Sequence, residues 1–194
     1  MGMRDGTLFL QHNHSWGDWK ADLVTNMIER VSGSPYIHTQ IYLRGKVYEI
    51  TYPAGLIVSE YPGRATQSRG IDAKGREWAD LTLEPTEELS ALLTDVVIDK
   101  MIDYFQAQEV FGVKYGLGKL VIFLLLGFTK PAWTWIYQKT GFEPFRNNIV
   151  WGEFCSALPD EMAKYAGIDM FPGESEQYTA PGDWILCRYY RKAS

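Results

Sequence analysis

At 194 residues, with 46% hydrophobic and 22% charged side chains, the chain can bury one sizeable core and reads as a single domain over 1–194. A net charge of −5 argues against nucleic acid as the main partner, since phosphate binding wants a basic surface, and two cysteines exclude a disulfide framework. Seven Trp and twelve Tyr are an aromatic excess suited to a core, a groove, or contact with a membrane or a sugar.

In chain order, residues 7–11 predict a short apolar strand, and residues 12–18 a polar loop. Residues 19–31 have helical spacing, with Leu23, Met27 and Val31 on one face, and Ser32-Gly33-Ser34-Pro35 ends that helix. Residues 36–43 and 47–51 predict a hairpin around Arg44-Gly45. A two-residue turn would pair Leu43 with Lys46 and Ile41 with Tyr48. That register sets the apolar residues on one face and His38, Gln40 and Glu49 together on the other. Strands are expected at 55–61 and 78–83, and one long amphipathic helix at 86–108. Glu87 and Glu88 suit its first turn, and Leu89, Leu92, Leu93, Val96, Val97 and Met101 supply its apolar face.

Residues 111–116 form a turn-rich joint. Residues 120–128 are almost wholly apolar, Lys130-Pro131 interrupts them, and Trp133, Trp135 and Tyr137 follow. The run is too short and broken for a transmembrane helix. It reads either as a buried helix pair or as a lid that covers an acyl chain or makes a peripheral membrane contact through 120–137. A helix is expected over 161–166, and a turn and closing strand over 180–190, with Cys187 as a core residue. The opening residues lack the apolar run of a secretory signal, so a cytoplasmic location is the default; a phage-encoded or otherwise exported protein would fit as well.

Cys155 lies between Phe154 and Ser156, just before a helix, and is the thiol placed for chemistry; His38 is the imidazole placed to serve it. Pro159 is tolerated in a first helical turn but not deeper. The helix therefore either starts near Leu158, with Cys155 in the turn before it, or bends there. Tyr36 and Phe154 flank the two candidates and would pack or shield a thiolate from water. His12 and His14 form a His-x-His pair with no third ligand near in sequence. They are expected to line the cleft, and neither a metal nor another cofactor is called for.

Four places carry a family resemblance. They are Asp5-Gly6-Thr7-Leu8-Phe9; Ser34-Pro35-Tyr36-Ile37-His38 followed by Thr39-Gln40-Ile41; Val47-Tyr48-Glu49; and Gly112-Val113-Lys114-Tyr115 with Phe154-Cys155-Ser156. Together they resemble the permuted NlpC-type papain-like superfamily, in particular its YiiX-like branch. The resemblance implies an α+β, circularly permuted papain-like fold: an antiparallel sheet packed against helices, His strand before Cys helix, with an apolar helical insertion at 116–150. It implies Cys155 as nucleophile, His38 as base and Glu49 as the group that orients His38. Gln40 is a second candidate for orienting or oxyanion work.

The expected activity is a thiol hydrolase that cleaves an amide bond, in a cell-wall peptide or related isopeptide, through an acyl-thioester. One alternative is a lipid-directed acyltransferase or acyl hydrolase, since the superfamily includes lecithin:retinol acyltransferase-like members. The other is a non-catalytic binding or virion-associated module. The expected partner is a peptide or acyl-lipid substrate; the oligomeric state is left open.

Overall fold

A computed structural model describes residues 2–13, 19–51, 54–63, 65, 67–71, 75, 77–113, 135–136, 138–140, 155–173 and 179–193. Most of the apolar stretch at 116–150 lies outside the described residues, as do Phe154 and His14. Trp135, which is described, is exposed.

The described chain is mixed α+β. Its main strands are β1 (Leu8–His12), β2 (Tyr36–Leu43), β3 (Lys46–Thr51), β4 (Gly55–Glu60), β7 (Leu81–Pro85) and β8 (Tyr190–Lys192). They form one six-stranded sheet in the order β4-β3-β2-β1-β7-β8, and every neighbouring pair is antiparallel. A separate ribbon pairs β5 (Arg69–Ile71) with β6 (Glu77–Ala79). The helices are α1 (Trp19–Ser32), α2 (Glu87–Leu92), α3 (Asp95–Val110) and α4 (Ala157–Tyr165).

The β2–β3 hairpin has the register that a two-residue turn dictates: Ile41 faces Tyr48, Tyr42 faces Val47 and Leu43 faces Lys46. Arg44 and Gly45 have φ of 48° and 80°, the positive pair that lets a two-residue turn follow the natural twist of the strands. Leu8 and Leu10 of β1 lie opposite Ile41 and Thr39, and Phe9 lies opposite Gln40. Leu8, Phe9 and Leu10 are all fully buried, so β1 is covered on both faces.

On one face, Leu8, Leu10, Ile41, Leu43, Tyr48, Ile50 and Leu83 meet Ile98, Met101 and Phe105 of α3 and Leu158, Met162 and Ala163 of α4. The spacing of Ile98, Met101 and Phe105 is that of one helical face. Each fully buried large apolar side chain there contributes roughly 2 kcal/mol. Tyr48 and Phe105 meet edge to face at 5.0 Å. On the other face Tyr61 stacks on Phe9 at 6.0 Å and meets Tyr42 edge-on at 5.4 Å.

Several expectations need correction. The helix expected over 86–108 is two helices. Thr86 caps α2 by accepting from Leu89 N, and Thr94 caps α3 by accepting from Val97 N. Two good N-cap residues eight apart outweigh a continuous apolar spacing. The break turns Leu92 and Val96 outward, Val96 to 65% exposure, while Leu89, Leu93 and Met101 stay buried. In α1, Met27, expected on the inward face, is 43% exposed and its neighbour Ile28 is buried, while the side chains of Leu23 and Val31 lie outside the described ones. The strand expected over 78–83 divides at Asp80, which accepts from His12 N and Ser68 N at 2.8 Å each and ties the ribbon to the main sheet. The expected closing strand is instead a 3₁₀ turn (Asp183–Ile185), a bend through Cys187, and β8. His12 belongs to β1 rather than to a loop. Among the described residues no helix is long and apolar enough to cross a membrane.

Candidate active site

β2 and β3 carry one half of the site. Period-two alternation sets His38 and Gln40 on the same face of β2, and the hairpin register brings Glu49 beside them. His38 Nε2 lies 2.7 Å from Glu49 Oε2, and Gln40 Nε2 donates to the same oxygen at 3.0 Å. Glu49 and Gln40 are buried, and the His38 side chain is 13% exposed. Such a bond holds the imidazole in one orientation and selects the tautomer with hydrogen on Nε2.

The other half is the turn before α4. The helix starts at Ala157, and Cys155 and Ser156 form the turn that leads into it. Pro159 falls in the first helical turn, where a missing N–H removes no intrahelical bond, so the helix does not bend there. Cys155 is 3% exposed and its thiol donates to Ile37 O at 3.6 Å. That carbonyl belongs to the residue next to His38, and the sulfur lies close enough to the imidazole to act on its ionisation. With Nε2 held by Glu49, Nδ1 is the nitrogen left for sulfur.

The electrostatics of His38 follow from this position. Burial works against its charged form. The neighbouring Cys155, then Glu49, outweigh burial and push His38 up to about 10. Burial alone would make Cys155 a packing residue.

The structure thus brings Cys155, His38, Glu49 and Gln40 together. Tyr36 lies opposite His12 in the β1–β2 ladder, and their rings meet edge to face at 5.7 Å. Trp78, not singled out from the sequence, stacks on the His12 ring at 5.9 Å. Tyr36 lies two residues before His38 on β2 and shares its face of the strand. The His12 ring lies 2.7 Å from Asn13 O through Nδ1. Among the described residues no group of three or more His, Cys, Asp or Glu could hold a metal ion.

Behind the Cys155 turn is a buried polar set, Ser156, Asp160 and Thr179, of which Asp160 and Thr179 were not singled out from the sequence. Burial pushes the Asp160 carboxyl up to about 7, although the Thr179 hydroxyl pulls the other way. Burial likewise pushes the Cys187 thiol up to about 11, which makes it a poor nucleophile. Only Ser156, beside the cysteine, carried any local signal; Thr179 sits in no motif. No protein-family model matches the chain, and no curated protein matches it.

Proposed function

We propose that the protein is a cysteine hydrolase that cleaves an amide bond, of the kind found in a cell-wall peptide or a related isopeptide, on a circularly permuted papain-like fold. The observation that carries the reading is the hydrogen-bonded set of Gln40, Glu49 and His38, with the Cys155 thiol held at the carbonyl of Ile37, the residue next to His38. His38 takes the thiol proton through Nδ1, and the sulfur attacks the amide carbonyl carbon. The oxyanion accepts from the backbone N–H of Cys155, at the start of α4. His38 then gives its proton to the departing amine, leaving an acyl-thioester. Water, deprotonated by His38, cleaves the thioester and restores the thiol. Glu49 accepts from Nε2 throughout and keeps Nδ1 aimed at sulfur. Gln40 holds the Glu49 oxygen in turn.

The test has two arms. Iodoacetamide alkylation of Cys155, mapped by peptide mass spectrometry, is expected to proceed at pH 6 in the native protein and to be strongly slowed in His38→Ala. On a panel of isopeptides and cell-wall peptides, Cys155→Ala and His38→Ala are each expected to lower kcat by about 10³-fold or more. Alkylation indifferent to His38, or hydrolysis that survives Cys155→Ala, would sink the reading and favour a binding module. Activity confined to acyl-lipid substrates would keep the nucleophile and replace the substrate class.

A further inference from the structure

Residues 179–184 touch both halves of the site. On the nucleophile side, Ser156 donates its hydroxyl to Thr179 O at 2.5 Å. The Ser156 carbonyl accepts from Trp184 Nε1 at 3.3 Å. The Thr179 hydroxyl donates to Asp160 Oδ2, in the first turns of α4, at 2.7 Å. A closed ring of contacts therefore runs from Ser156 to Thr179, to Asp160, and back through the helix. All four residues are buried.

Two details set this ring apart from ordinary packing. Ser156 occupies the N-cap position of α4, where serine usually accepts from the helix backbone, yet its side chain makes no cap bond. Its hydroxyl goes to Thr179 instead. On the base side, Gly182 has φ of −69°, a value any residue adopts, so it is not there for conformational freedom. A Cβ at Gly182 would collide with the Ser34 side chain, in the turn that opens β2 four residues before His38. The segment is thus fastened to the cysteine turn at one end and seated closely on the histidine strand at its middle.

We infer that residues 179–184 are a positioning strap for the Cys155–His38 pair. Thr179 and Trp184 hold the Cys155 turn, and the close seat of Gly182 on Ser34 sets the distance of that turn from the His38 strand. This rests on the reading of Cys155 and His38 as a reacting pair. A pair of this kind works only while sulfur and nitrogen stay within hydrogen-bond reach, and a small misplacement costs much of the rate. Thr179 and Trp184 touch no reacting atom; they act through the turn.

The test uses the full chain and iodoacetamide, with the rate at Cys155 followed by peptide mass spectrometry from pH 5 to pH 10. Thr179→Val removes the hydroxyl that reaches Asp160 and keeps the shape. Trp184→Phe removes the donor to Ser156 and keeps a ring against Phe171 and Tyr190, its neighbours at 5.0 and 5.6 Å. Each is expected to slow alkylation about tenfold, the size of one buried hydrogen bond, and to move the midpoint of the pH profile upward. Thr179→Ser, which restores the hydroxyl, is expected to return both towards native values. Folded Thr179→Val and Trp184→Phe proteins with native rate and profile would overturn the strap while His38→Ala still upheld the pair; so would variants that lose thermal stability alone. Alkylation unchanged in His38→Ala would overturn the pair and the strap together. Should Thr179→Val fail to fold, Trp184→Phe decides.

Discussion

His38 is the residue on which charge and geometry meet. Its imidazole is pushed up to about 10 against burial by Cys155 and then by Glu49. The proton it holds contributes stability fully below its ordinary value of 6.5, and that contribution is lost as pH rises towards 10. Loss of the same proton should set the alkaline limb of kcat/KM. Glu49→Gln removes one of the charges that hold the proton, so the limb is expected to move to lower pH, with a smaller fall in rate than Cys155→Ala gives. A pH–rate profile with its limb in place would remove Glu49 from the orienting role. His38, Gln40 and Glu49 were legible in the sequence because alternation and a two-residue turn fix which side chains share a face. Nothing local paired Cys155 with His38; the family resemblance did that. Thr179 and Trp184 escaped notice because they reach Ser156 across 23 and 28 residues through main-chain atoms, which leave no periodicity to read.

At the scale of elements, the β2–β3 turn carries the site's register. Gly45 has φ of 80°, and a Cβ there would meet nothing within 4 Å, so the cost of Gly45→Ala is backbone strain alone. About 1 kcal/mol of lost stability is expected in urea denaturation. A neutral result would mean that the turn relaxes to another form, and His38–Glu49 contact would then be the first thing to re-examine. The helices show how two true local signals can conflict. The apolar spacing across 89–101 continues through Leu93, but Thr94-Asp95 is also a helix start, and capping wins. At the other end of the chain, Trp184-Ile185-Leu186-Cys187 has strand-like composition. It forms a tight turn because Asp183 accepts from Ala180 N and closes the backbone there.

For the whole molecule, the buried Asp160 gives a second pH window. Its neighbours are the Thr179 hydroxyl, Glu161, Lys164 and Asp169. A carboxyl raised to about 7 from 3.8 favours folding while protonated, so its contribution is present at low pH and is lost as pH rises from about 4 to about 7. The slope approaches about 1.4 kcal/mol per pH unit within that window. Asp160→Asn, which can still accept from Thr179, is expected to flatten the fall in Tm between pH 4 and pH 7 and to leave the His38 window above it intact. Equal slopes in the two proteins would mean that Asp160 stays ionised in the folded state.

Tyr190 donates its hydroxyl to Gly6 O at 3.0 Å, joining residues 184 apart along the chain. Gly6 leads into β1, which sits inside the sheet, and Tyr190 begins β8 at its edge. A contact of such span closes a very long loop, and non-local pairing of this kind is slow to form. The expectation is that it forms after the transition state has been crossed. Tyr190→Phe should therefore speed unfolding about fivefold, the kinetic equivalent of one lost hydrogen bond, and leave the refolding rate nearly unchanged. Stopped-flow traces in which refolding slows instead would place this contact in the folding nucleus.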